Sequence, residues 1–456
     1  MNWKKLGFVA IAATMVAACD SPLEVDPTSF IPFDEALDSP DEIAGAVNGM
    51  YDAFQSDGGY DRNLIAYPDL YTDNLDFTGT FTTDREVWLR NVRSTNGSVA
   101  GIWQTAYIGI NRANNVLAAV DSVDELTDEE AQQYQGEAYF VRALNYHNLV
   151  RFFGGVPLVT RPTWEIGRTA GDTDVARATE AQVYQAIVTD LTSARNLLGT
   201  LEEEAGIRPL VGRASVRAVE ALLARVYLDM GQNENARAMA TAVITSGEFG
   251  LVPEYANIFR IKNNAESIFE VQYTVNDPNS LAFWFYPSAS GGRLGFAPTE
   301  DYLNTVFSRA APERFLGSVE FDESDGYYVN KYNRIATGDD NIPVLRLAEM
   351  YLIRAEANWR LNAPAATVVA DVNQTRVRVG LAPLPATLTR AELGTQILLE
   401  RRREFAFEGM RLFDLRRILG AAGAASFLGI SPDRLLFPIP QRELEANKLL
   451  TQNPGY

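Results

Sequence analysis

The stretch from Gly136 to Thr160, GEAYFVRALNYHNLVRFFGGVPLVT, leaves its chain few ways to fold. Tyr139, Ala143, Tyr146, Val150 and Phe153 recur at helical spacing, Phe140 and Leu144 begin a second stripe, and Val141, Leu149 and Phe152 widen the arc. A helix apolar over so much of its circumference must be covered from more than one side, which makes it an inner helix of a layered helical body. Gly154 and Gly155 can take the positive φ of a helix C-cap, and Val156-Pro157 then forces extended backbone. Arg142, Asn145, His147 and Arg151 lie inside the run, so the covering helices must supply their partners.

The first residues read as a leader rather than as fold. Lys4 and Lys5 precede an apolar run, Leu6 to Val16, too short to span a bilayer as a helix, and small residues at 16–18 lead to Cys19. This is the pattern of a lipoprotein signal peptide over 1–18, with Cys19 as the lipid attachment residue. Cys19 is the only cysteine in 456 residues, so no disulfide forms within one chain and stability must come from packing. The formal charge is −19, more negative still without Lys4 and Lys5, and no basic cluster offsets it; nucleic acid is disfavoured as a partner.

The remainder, 19–456, reads as a single domain. Residues 20–35, with Pro22, Pro27 and Pro32, read as an extended tether or a strap across the surface, and Ile43, Val47, Met50, Tyr51 and Phe54 mark an amphipathic helix. Helical patterns follow at Trp103–Val120, Thr127–Phe153, Glu180–Leu198 and Ser215–Met230, then at Val344–Leu361, Ala366–Val377 and Arg390–Arg417. Leu223, Ala224, Tyr227, Gly231, Ala236, Ala240 and Val243 have the spacing of a tetratricopeptide helix pair, and Ala355 to Asn362 repeats the theme of Ala224 to Gly231. The expected fold is mainly α: about four degenerate helix pairs over 101–250 and 343–418, packed against an irregular, loop-rich half over 55–100 and 254–342 with a few short strands. Ser267 to Thr274 is one such strand, and residues 59–100 read as loops with short irregular pieces.

Catalysis finds little support. His147 is the only histidine, which removes histidine triads and multi-histidine metal sites, and a lone histidine on an inner helix is a hydrogen-bonded core residue. With 59 acidic residues, no motif singles out the carboxylate pair a glycosidase needs. The expectation is no enzyme, no cofactor and no metal.

Four segments carry a resemblance. The Gly136–Thr160 stretch, RLAEMYLIRAEA from Arg346, ERRREFAFEGMRLFDLRR from Glu400 and FPIPQRELEANKLLTQNPGY from Phe437 resemble, in order, the hallmarks of the SusD/RagB family of outer-membrane nutrient-binding lipoproteins. The chain departs from the family pattern locally, with Leu412 in place of a tryptophan and Ala311-Pro312-Glu313-Arg314 in place of an Asp-x-Arg. The resemblance implies a lipid-anchored, exterior-facing outer-membrane protein that captures oligosaccharides for a SusC-like TonB-dependent transporter. A tetratricopeptide-type adaptor or peptide-binding lipoprotein is the alternative, and a helical glycosidase or lyase the third reading. Sugar capture needs aromatic faces for pyranose C–H surfaces, flanked by amide, carboxylate or guanidinium groups. Outside the helices these are offered by Trp88 with Arg85 and Asn91, and by Trp284 with Tyr286. Trp103 and Trp359 fall in helical patterns and read as core.

Overall fold

The computed structural model describes residues 36–166, 174–205, 211–307 and 312–456. Cys19, the leader and the tether at 20–35 lie outside them. Ten helices make the body: α1 (Pro40–Asp52), α2 (Gly97–Ala119), α3 (Asp128–Phe153), α4 (Glu180–Ala205), α5 (Val216–Asp229), α6 (Asn233–Thr245), α7 (Leu347–Arg360), α8 (Ala365–Arg378), α9 (Arg390–Phe405) and α10 (Arg411–Leu428). From α2 to α10 each packs on the next in sequence, the stacking expected of tetratricopeptide-like pairs.

The inner helix is α3. A capping box closes its first turn, Thr127 and Glu130 each accepting the other's backbone N–H, and every residue from Phe140 to Phe153 is buried. Gly154 follows at φ +73°, ending the helix as its lack of a Cβ allows. Its polar residues find partners on the covering helices. Arg142 donates to Asp190 of α4 at 2.7 and 2.8 Å and to Asn114 of α2 at 2.8 Å. His147 meets Asp229 of α5 at 3.0 Å, and the Arg151 guanidinium lies 3.6 Å over the Phe413 ring of α10. Asn145 instead bonds back to Val141 O. At the α5–α6 turn Gly231 has φ +73°, and Asn362 takes φ +58° in the corresponding α7–α8 turn, so the sequence repeat is a conformational one.

Several expectations need correction. Residues 59–100 are not mainly loop: Asn63–Leu70 is a helix with all eight residues buried, and Thr82–Trp88 is another. In Asn63–Leu70, burial on every side erased the periodic signal that marks a helix in sequence. The pattern from Val344 begins as a strand: β6 (Ile342–Arg346) pairs antiparallel with β2 (Ser267–Val271), both wholly buried, and α7 starts only at Leu347. Arg390–Arg417 is two helices, parted where Phe407 and Gly409 take positive φ. Trp103 is core, as expected, but Trp359 is half-buried, its indole N–H donating to Arg390 O at 2.8 Å.

The less regular half holds two further two-stranded ladders, β1 (Leu75–Phe77) with β3 (Phe296–Pro298) and β4 (Val319–Asp322) with β5 (Gly326–Val329). A buried ionic cluster locks this half to the body. Glu404 of α9 pairs with Arg314 and Arg346 at 2.6 Å each and with Arg378, while Glu266 also pairs with Arg346 and Arg378, and Glu408 with Arg346. Burial alone would raise the Glu404 carboxyl, but Arg378, Arg314 and Arg346 outweigh it and hold the group well below the carboxylate range. The C-terminal tail is docked: Asn453 is buried and donates to Phe153 O and Phe437 O at 3.0 and 2.7 Å.

Candidate functional site

The two irregular segments singled out in the sequence meet at the β1–β3 ladder. Phe77 stands opposite Phe296, and the contact continues outward as Thr78 N–H donates to Gly295 O at 3.1 Å. Helix Thr82–Trp88 lies against β1. Trp88 is half-buried with its indole N–H on Asp76 at 3.2 Å, and the exposed Arg85 guanidinium lies 5.6 Å over the Phe77 ring.

Across the ladder the short helix Leu281–Phe285 carries Trp284. Its indole is half-buried: the Arg62 guanidinium stacks 3.8 Å from its centroid, and the N–H donates to Ser280 Oγ at 3.1 Å. Arg62 is itself buried and held by Asp84 at 2.5 Å, to which the Tyr67 hydroxyl also donates at 2.7 Å. Ser280 is fixed in turn by Asp61, whose carboxylate accepts from its backbone N–H and its hydroxyl. Burial, reinforced by neighbouring Asp57, lifts the Asp61 carboxyl to about 7.

The rings that face outward are ones the sequence reading passed over. Phe81 is 43% exposed and meets Trp284 edge-on at 5.7 Å; Phe283 is 41% exposed and meets it at 5.5 Å. The exposed Arg293 guanidinium lies 4.3 Å over Phe81 and donates to Thr80 Oγ1 at 3.1 Å. Trp284 is thus the backing of an aromatic face rather than its front. The signal for Phe81 was present: it stands among Gly and Thr in TGTFTTD, with no other apolar side chain within three positions on either side. Arg62 had no such signal, because nothing local distinguishes a guanidinium that will stack beneath a ring more than two hundred residues away.

Of the five candidate residues, Arg85, Trp88 and Trp284 come together along the ladder. Asn91 is exposed beyond the turn at Arg90, with no side-chain hydrogen bond to the other four. Tyr286 is buried and points elsewhere: its hydroxyl donates to Asn330, and its ring packs on Tyr328 at 4.8 Å. It is a packing residue relative to the aromatic face, because Tyr328 covers the ring and Asn330 takes up the hydroxyl. Among the described residues no group of three or more His, Cys, Asp or Glu side chains is placed to hold a metal ion, and no helix is long and apolar enough to cross a membrane.

The stacked-helix body, with its irregular half packed against it, defines a fold of the tetratricopeptide-like class. Residues 23–228 match a family model described as starch-binding, associating with outer membrane, and residues 317–427 match that of the SusD family. The chain belongs to the SusD family. The SusD-like protein P2 of Formosa agariphila is 26% identical over the whole of both chains. A SusD superfamily protein from Bacteroides vulgatus superposes with a TM-score of 0.80 over 91% of this chain and 99% of its own, at 21% identity, which speaks to the fold. A laminarin-binding SusD-like protein superposes at 0.77 over 92% of this chain and 100% of its own, at 26% identity.

Proposed function

We propose that this protein captures an oligosaccharide on the face formed by Phe81, Phe283, Trp284 and Arg293, extended along β1 by Arg85 and Trp88, and passes it to a SusC-like TonB-dependent transporter without altering it. The observation that carries the reading is the pair of outward phenyl rings at Phe81 and Phe283, held against a fixed indole and flanked by guanidinium groups free to meet hydroxyls. The laminarin-binding relative supports a glucan as the first ligand to try. A lipid on Cys19 would hold the protein at the outer membrane, facing outward, and a Cys19→Ser variant should then fractionate as a soluble, folded protein.

Calorimetric titration of that soluble variant with laminarin and with starch oligosaccharides tests the function. Phe81→Ala and Phe283→Ala should each lower affinity by about ten- to a hundredfold, the cost of removing an aromatic anchor of about 1–3 kcal/mol, with little change in melting. Tight peptide binding with no glycan binding would turn the assignment to the adaptor reading. Release of new reducing ends from a bound glycan would turn it to a glycosidase.

A further inference from the structure

A cavity of about 740 Å³ lies beside the β4–β5 hairpin, lined in part by Asn330, the residue that accepts the Tyr286 hydroxyl. Its volume is within the range of small-ligand pockets, about 300–1,000 Å³. Three of the rings that line it touch in series. Phe321 and Tyr327 are opposite one another in the ladder, with ring centroids 5.0 Å apart, and Tyr327 meets Phe315 edge-on at 5.7 Å. Alternation puts Val319 and Phe321 on one face of β4, yet Val319 is 1% exposed and Phe321 58%. The layer that covers the strand stops short of Phe321, leaving an aromatic ring open to the cavity.

The rim adds both kinds of hydrogen-bonding group. Asn330, which lines the cavity, is only 7% exposed; its Oδ1 accepts from Tyr286, while its Nδ2 donates to none of the described residues. Arg260 lines the same space, exposed and without a carboxylate in ion-pair range among the described residues, and Glu254, Glu313 and Glu320 supply acceptors. A purely cationic ligand would leave Asn330 and Arg260 without acceptors, and a purely anionic one would face three carboxylates. Hydroxyl groups, which donate and accept, use both sets at once, and the rings suit the apolar face of a pyranose.

We propose that this cavity is a second saccharide-binding site, taking pyranose units of a neutral glycan independently of the Phe81–Phe283 face; it rests on the reading of the protein as a glycan binder. Two sites on one chain would hold a long polysaccharide at two points and raise its apparent affinity over that of a short oligosaccharide.

The test is calorimetric titration of the soluble Cys19→Ser protein with laminarin oligosaccharides and with maltooligosaccharides. A Phe81→Ala/Phe283→Ala background should retain one weak site, and adding Phe321→Ala should weaken that site at least tenfold without moving the melting temperature, because Phe321 is already exposed. Arg260→Gln should weaken it as well, and serves if Phe321→Ala melts early. Glycan binding by wild type that vanishes entirely in the Phe81→Ala/Phe283→Ala background, or survives there unchanged by both Phe321→Ala and Arg260→Gln, overturns the second site and leaves the first standing. No binding of either glycan by wild type overturns both. Peptide binding in the cavity with no effect of glycan would also overturn it.

Discussion

Trp284 shows how one residue can serve both stability and binding. Arg62 is buried beneath it with Asp84 as counter-ion, so truncating the indole would open a buried ion pair to water as well as remove a wall of the aromatic face. Phe81 and Phe283, exposed and free of such a burden, report on binding alone. His147 is the opposite kind of residue, wholly buried on α3. Burial outweighs its bond to Asp229 and brings its pKa from 6.5 down to about 4. Above pH 6.5 the ring is neutral folded or unfolded, and its full contribution to stability is present. As pH falls from 6.5 towards 4 only the unfolded chain takes up the proton, and stability drops by up to on the order of 3 kcal/mol. Urea melts at pH 7 and pH 5 should show stability changing less favourably on acidification in wild type than in His147→Gln, the raised carboxyls such as Asp61 working the other way equally in both; the same change in the two proteins would contradict the assignment. That His147 is structural was legible from its solitude on an apolar helix. That Phe81 would meet Trp284 was not, since that contact depends on where the chain lays Leu281–Phe285.

At the scale of elements, periodicity located the long helices well because each buries one broad stripe. It failed at Asn63–Leu70, buried all round, and at β6, where IPVLR is equally buried on both faces of a two-stranded ladder and reads as the start of the helix that follows. It also ran α9 into α10, because charge and apolar residues continue through the break. The break has a cause that is visible only in three dimensions. Gly409, at φ +75°, lies where an added Cβ would be 2.2 Å from Leu64 O, and its N–H and that of Phe407 both donate to the buried Asp69. Gly409→Ala should therefore cost about 2–4 kcal/mol, from left-handed backbone strain and the pressure on the Asn63–Leu70 helix. A thermal melt checks this, and a midpoint within a degree of wild type would mean that the two elements are not locked together there.

For the molecule as a whole, the body is a series of neighbours in sequence, whereas the aromatic face joins residues far apart: Thr78 reaches Leu294 across 216 residues. The joining ladder is three residue pairs long, and one of its members, Pro298, has no N–H to give. Closing so long a loop gains little until both halves have packed, so the face should be the last part to assemble and the first to open. Deuterium uptake would reveal it. The amides of Thr78 and Thr299, bonded to Gly295 O and Asn74 O, should exchange well before those of Leu144 to Val150 in α3. Saturating glycan should slow Thr78 and Thr299 selectively, and uniform protection along the chain would contradict this order. A sugar that bridges Phe81 and Phe283 would then act as a removable stitch between the early and late parts of the chain, so that nutrient in the medium prolongs the working life of the protein that gathers it.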